Sequence, residues 1–128
     1  CRLLPDQDKD EFIEILKATL NEPDIEITPI LAFRPAVSPT NTPLYEIVAR
    51  VIGRHHPDAL LVPSMSAGFT DSHWFREMGI TSYGFVPTLV PIGDYGGVHG
   101  NNERMDIDAF KKGTMLLLEI VQQFVYDG

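Results

Sequence analysis

The sequence predicts an α/β fold, and three observations carry that expectation. From residue 42 onward, helix-like and strand-like segments alternate, the order from which layered domains with a parallel sheet are built. Ala59-Leu60-Leu61-Val62-Pro63 is short and wholly apolar, the composition of a strand buried on both faces. Two loops, 64–70 and 87–100, leave the carboxyl ends of predicted strands. That edge is where open α/β sheets collect their ligands.

The elements follow in chain order. Residues 1–4 read as the end of a strand and Pro5-Asp6-Gln7-Asp8 as a turn. Asp8, with Glu11 three residues later, has the spacing of a capping box. Phe12, Ile15, Leu16, Thr19 and Leu20 then fall at helical spacing, and Pro23 ends the helix. Ile25 and Ile27 alternate with polar neighbours, as in a half-buried strand. Strand, helix and strand thus fill 1–32. The stretch 33–41 has two prolines and no periodicity and is read as a connector between lobes. Thr42 caps the next helix with Pro43 at its first position. Its apolar stripe is Leu44, Ile47, Val48, Val51 and Ile52. His55 and His56 lie at its carboxyl end, where positive charge suits the helix dipole, and are read as surface residues. Thr70 caps a short helix that runs to about Met78 and is stopped by Gly79. Residues 80–86 form another strand. Asp106 caps a last helix to about Tyr126, with Phe110, Thr114, Leu117, Leu118, Val121 and Val125 expected on its buried face.

Composition limits the partners. The chain has 128 residues, 44% hydrophobic and 22% charged, enough for one domain or two small lobes with a core. The formal net charge of −8 argues against a nucleic-acid backbone as partner, which calls for clustered Lys and Arg. No apolar run approaches the ~18 residues of a membrane-spanning helix. One cysteine, Cys1, precludes an internal disulfide and leaves the compartment open between cytoplasmic and secreted or periplasmic. A chain that starts on Cys with no signal-like segment reads as processed or as a piece of something longer. Cys1 itself has three readings: an ordinary strand residue, the lipid-bearing Cys of a lipoprotein, or a nucleophile activated by its own α-amine.

Val98-His99-Gly100-Asn101-Asn102-Glu103-Arg104 carries the strongest chemical signal. It follows a Gly- and Pro-rich loop and precedes the last helix. An exposed imidazole on pliable backbone is a ready metal ligand. Glu103 is close enough in sequence to support and orient it. The competing reading is a surface turn, since Gly-Asn-Asn is turn chemistry.

Taken in order, Ser66-Ala67-Gly68-Phe69-Thr70-Asp71-Ser72, Phe75-Arg76, Gly79-Ile80, Tyr83-Gly84-Phe85 and His99-Gly100-Asn101-Asn102-Glu103-Arg104 resemble the C-terminal third of the co-catalytic zinc amidohydrolases. These include aminoacylase, glutamate carboxypeptidase of the bacterial G type and succinyl-diaminopimelate desuccinylase. The resemblance covers nearly the whole chain and implies a partial zinc-peptidase α/β sandwich preceded by half of an α+β lid. Residues 1–32 would be the C-terminal half of the lid or dimerisation domain, 33–41 the connector, and 42–128 the closing part of the zinc-binding domain. By the same resemblance His99 is a zinc ligand and Glu103 its supporting acid. Arg2 reaches the substrate carboxylate, for which a guanidinium fork is suited. Gly68 lets backbone approach the substrate. Thr70 orders that loop, with helix capping the equal alternative. The remaining ligands, including a second His with an Asp two residues on, and the Glu-Glu pair holding the general base would lie upstream of Cys1. The complete enzyme would use two zinc ions to activate a water that attacks an amide next to a free carboxylate, in a peptide or an N-acyl amino acid. The chain alone is expected to be inactive, to hold zinc weakly or not at all, and to form homo-oligomers. The alternative is a small acidic α/β interaction or oligomerisation domain without catalysis. A third reading is hydrolysis through Cys1.

Overall fold

The computed structural model describes residues 3–66, 68–90, 93 and 97–126. Cys1 and Arg2, and with them the start of the first expected strand, lie outside the described residues. The chain divides into two compact units, each made of two stretches: Cys1–Ser38 with Met65–Tyr83, and Pro39–Ser64 with Gly84–Gly128. Among the described residues four helices are present: α1 Lys9–Leu20, α2 Pro43–His55, α3 Ser72–Glu77 and α4 Ile107–Tyr126.

The helix ends follow local chemistry. The Asp8 carboxylate accepts from the backbone N–H groups of Asp10 (2.8 Å) and Glu11 (3.2 Å), two of the donors that a helix start leaves unpaired. At the other end Asn21 takes a left-handed conformation, φ 51°, and donates its N–H to Lys17 O. The Thr42 hydroxyl accepts from Tyr45 N at 3.2 Å, with Pro43 at the first helical position. α3 starts one residue later than Thr70 suggested. Asp71 occupies its cap position without a side-chain cap bond, while the Thr70 carbonyl accepts from His73 N at 3.1 Å. Gly79, at φ 78°, ends the segment with its N–H on Arg76 O. Asp106 Oδ1 accepts from Ala109 N at 2.7 Å and opens α4.

The second unit has an aliphatic core. Ile47, Val48 and Val51 on α2 pack on Leu116 and Ile120 of α4, flanked by Leu44, Ile52, Leu61 and Phe85. The buried stripe of α4 is thus Gly113, Leu116 and Ile120. This corrects the expected face: Phe110, Thr114, Leu117, Leu118, Val121 and Val125 are outward or only partly covered. α4 is apolar around most of its circumference, so periodicity could not choose a side. What chooses it is backbone approach at Gly113. A Cβ there would stand 2.7 Å from Pro87 O and 2.8 Å from Thr88 Oγ1, so only glycine lets this connection lie on the helix. Polar contacts close the far end of the pair. Glu119 accepts from Arg54 Nη2 at 2.6 Å and lies 2.7 Å from His55 Nε2, and Gln123 Nε2 donates to it at 3.1 Å.

The first unit is held differently. Phe33, Phe69 and Trp74 surround His73, with ring centroids 4.9, 5.5 and 5.0 Å from the imidazole. His73 is the buried polar side chain of the described residues, at 7% exposure. Its Nε2 lies 3.3 Å from Glu77 Oε1, within ion-pair reach if protonated but not aligned as a hydrogen bond. Arg76 forms a polar knot beside it. Nε and Nη2 donate to Ser82 O at 3.1 and 2.6 Å, and Nε also reaches Ser38 Oγ at 3.0 Å. Ser38 Oγ accepts from Ser82 N at 3.0 Å and donates to Ser82 O at 2.9 Å.

Among the described residues none is in a β-strand or bridge, so the fold here is helical with irregular connections. The segments expected as strands at 25–28, 59–63 and 80–86 carry no ladder. A strand is completed by a neighbour that accepts and donates along its length. Alternation or an apolar run shows fitness for a sheet but does not provide that neighbour. The same segments keep strand-like side chains without strand-like burial: Leu60 is 84% exposed and Val86 73%. No helix among the described residues is long and apolar enough to cross a membrane.

Candidate functional site

His99 lies in the second unit, in a tight turn built by its glycines. Gly97 is at φ 67°, and the Gly100 N–H donates to Gly97 O at 2.7 Å. A Cβ on Gly100 would stand 2.9 Å from that same oxygen, and one on Gly97 3.2 Å from Asn102 O. His99 itself is left-handed at φ 62°. Few non-glycine residues take that conformation, His more readily than most, and it costs about 1 kcal/mol or more when held. The turn holds the His99 backbone in this left-handed conformation with its side chain exposed. The sequence signalled a pliable segment here; the structure shows a constrained one.

Glu103 is exposed as well, and among the described residues no hydrogen bond or ion pair joins it to His99. The turn brings the Glu103 backbone near the position a Gly97 Cβ would take, 3.5 Å from its Cα. Gly68 and Thr70 belong to the first unit. The Gly68 N–H donates to Ser66 Oγ at 3.1 Å, a short local turn that leaves both residues exposed. Thr70 contributes its carbonyl to the start of α3, as above. Arg2 lies outside the described residues. Among the described residues no group of three His, Cys, Asp or Glu side chains converges as metal ligands do. His99 could therefore contribute one ligand but not complete a site, since zinc centres use three or four protein ligands.

Two features went unread in the sequence. The Arg76 knot was within a quoted motif, yet nothing in spacing pairs it with Ser38 and Ser82. His73 gave no signal, because an isolated His among aromatics reads as surface or core equally well.

Comparison with known proteins identifies the family of the chain. The chain belongs to peptidase family M20/M25/M40, whose family model matches residues 6–123. Among curated relatives it is similar to the N-fatty-acyl-amino acid synthase/hydrolase PM20D1 of Xenopus tropicalis, 28% identical over 94% of this chain and 24% of the relative. The Mus musculus protein of that name is 25% identical over 95% of this chain and 25% of the relative. The probable carboxypeptidase S-like 2 of Dictyostelium discoideum is 23% identical over 87% of this chain and 22% of the relative. The chain thus spans about a quarter of the length of the curated relatives it matches. No solved structure matches it.

Proposed function

We propose that this chain is the closing part of a zinc-dependent hydrolase that cleaves an amide bond next to a free carboxylate. The substrate is an N-acyl amino acid or a small peptide. The observation that carries the reading is the family match over residues 6–123. The relatives' names, one an N-fatty-acyl-amino acid synthase/hydrolase and one a probable carboxypeptidase, support the substrate class. In this reading residues 1–32 close the lid, 33–41 connect, and 42–128 finish an α/β sandwich whose partner strands come from the rest of the protein. Two zinc ions belong to the complete site.

His99 supplies one metal ligand, and its left-handed turn favours that role, because strain held in an exposed turn is a mark of functional positions. Glu103 supports the segment, and Arg2, Gly68 and Thr70 face the substrate. No catalytic step is assigned to the described residues, whose ligand set is incomplete. The chain by itself is inactive in this reading, with no general base that the resemblance assigns to it. The many outward apolar side chains, Ile30 at 98% and Leu60 at 84% among them, favour coverage by the rest of the protein or by a second copy.

The test is His99→Ala in the complete protein, read as turnover and bound zinc. Loss of most activity and of part of the zinc, with the fold retained, is expected. Near wild-type rates with full zinc occupancy would reduce His99 to a turn residue.

A further inference from the structure

The first unit contains an open cavity of about 510 Å³ lined by Arg34, Pro35, Ala36, Arg76 and Glu77. We propose that this cavity binds the carboxylate of a small organic acid between Arg34 and Arg76. Its volume falls within the range of small-molecule sites, roughly 300–1,000 Å³.

Arg76 is pre-oriented. Its Nε and Nη2 are tied to Ser82 O and Ser38 Oγ, which fixes the guanidinium plane, while Nη1 donates to no protein group among the described residues. Arg34 is exposed and makes no hydrogen bond or ion pair among the described residues. The cavity lining holds two guanidinium groups and one carboxylate, Glu77, an excess of positive charge in a chain of formal net charge −8. Glu77 and Asp8 each have a further contact. Glu77 lies 3.3 Å from the His73 imidazole. Asp8, whose carboxyl is held below its ordinary range mainly by the N–H groups of Glu11 and Asp10 and slightly by the charge of Arg34, is committed to the start of α1.

Charge counting selects the ligand. Two cations and one carboxylate leave the wall with a surplus of a single positive charge, which suits a monoanion and disfavours a dianion such as phosphate. The guanidinium groups offer the planar donors that a carboxylate accepts. Pro35 and Ala36 give the carbon body of the acid a small apolar surface. This site is independent of the role proposed for His99.

Saturation-transfer NMR on the intact protein, with isobutyrate as probe, tests the proposal. Arg34→Gln should weaken the response about tenfold, the contribution of one charge-assisted hydrogen bond. Arg34→Lys, which keeps the charge but not the fork, should fall between. Arg34 is exposed, so an unchanged thermal midpoint is expected of both variants. His99→Ala should leave the Arg34-dependent response intact. Equal binding in wild type and both variants overturns the proposal. So does tighter Arg34-dependent binding of inorganic phosphate than of isobutyrate. A response lost with His99→Ala yet indifferent to Arg34→Gln belongs to the hydrolase site and overturns this one.

Discussion

The two compact units stabilise themselves by different means. The second buries aliphatic side chains between α2 and α4, with Val51 wholly inaccessible and Ile120 at 3% exposure. The first buries a histidine under three aromatic rings and ties its backbone with Arg76 and Ser38, and among the described residues it contributes none of the buried aliphatic ones. Aliphatic burial is non-directional and scales with area, so it tolerates changes of shape better than changes of volume. A polar knot depends on direction, and deleting one member strands its partners. The lesson is that one fold fragmentarily covered with apolar surface can anchor one half by volume and the other by geometry.

The largest expected effect is in the aliphatic half. Ile120→Ala removes a buried side chain from the α2–α4 contact and should cost about 2–5 kcal/mol by denaturant unfolding. Gly113→Ala tests the same contact from the other side, because its Cβ would meet Pro87 O at 2.7 Å. A loss under about 0.5 kcal/mol for either, the level of surface substitutions, would mean that the helix pair does not carry the unit.

The directional half should respond next. Arg76→Ala leaves Ser82 O and Ser38 Oγ short of donors at a half-buried position and should cost about 1–3 kcal/mol. Arg76→Lys should recover only part, because a single ammonium cannot reproduce the paired Nε and Nη2 contacts. Full recovery by Lys would show that charge rather than geometry matters there, and would weaken the contrast between the halves.

Thr42→Ala comes third, at about 1 kcal/mol, by removing the hydroxyl that accepts from Tyr45 N. Thr42→Ser should restore most of it. No difference between Ala and Ser would show that Pro43 alone is enough to start α2.

How much of this was legible follows the same division. Helix starts were readable at Asp8, Thr42 and Asp106, and a stop at Gly79, because each is decided by groups within four residues. The apolar stripe of α2 was readable because its opposite face is polar. The stripe of α4 was not, because a helix apolar on most sides needs its neighbours, here the backbone at 87–88, to choose a face. The sheet expected from 25–28, 59–63 and 80–86 needs partners that the described residues do not supply. At the candidate site, the place of His99 in a turn was readable from its flanking glycines, whereas its left-handed backbone was not. Glu103, expected to support it, makes no bond to it.

The smallest effect, and a pH-dependent one, is at the start of α1 in the geometry-held half. The Asp8 carboxyl is held below its ordinary range, first by the N–H of Glu11 and then by that of Asp10, which favour the ionised form. A carboxylate with a lowered folded-state pKa adds stability that is present above its unfolded value, about 3.9, and is lost as pH falls through the folded value. Stability should therefore be flat from neutral pH to about pH 5 as far as Asp8 is concerned, and should decline below about pH 4. Asp8→Asn keeps a cap acceptor but removes the titration, so its unfolding curve should converge on the wild type at low pH and lie slightly below it at pH 7. Amide exchange at Asp10 and Glu11 reads the same event locally: protection should fall with acid in the wild type and stay level in the variant. Acid-insensitive exchange in the wild type would show that the cap bonds persist without the charge, and that the start of α1 is held by the turn before it.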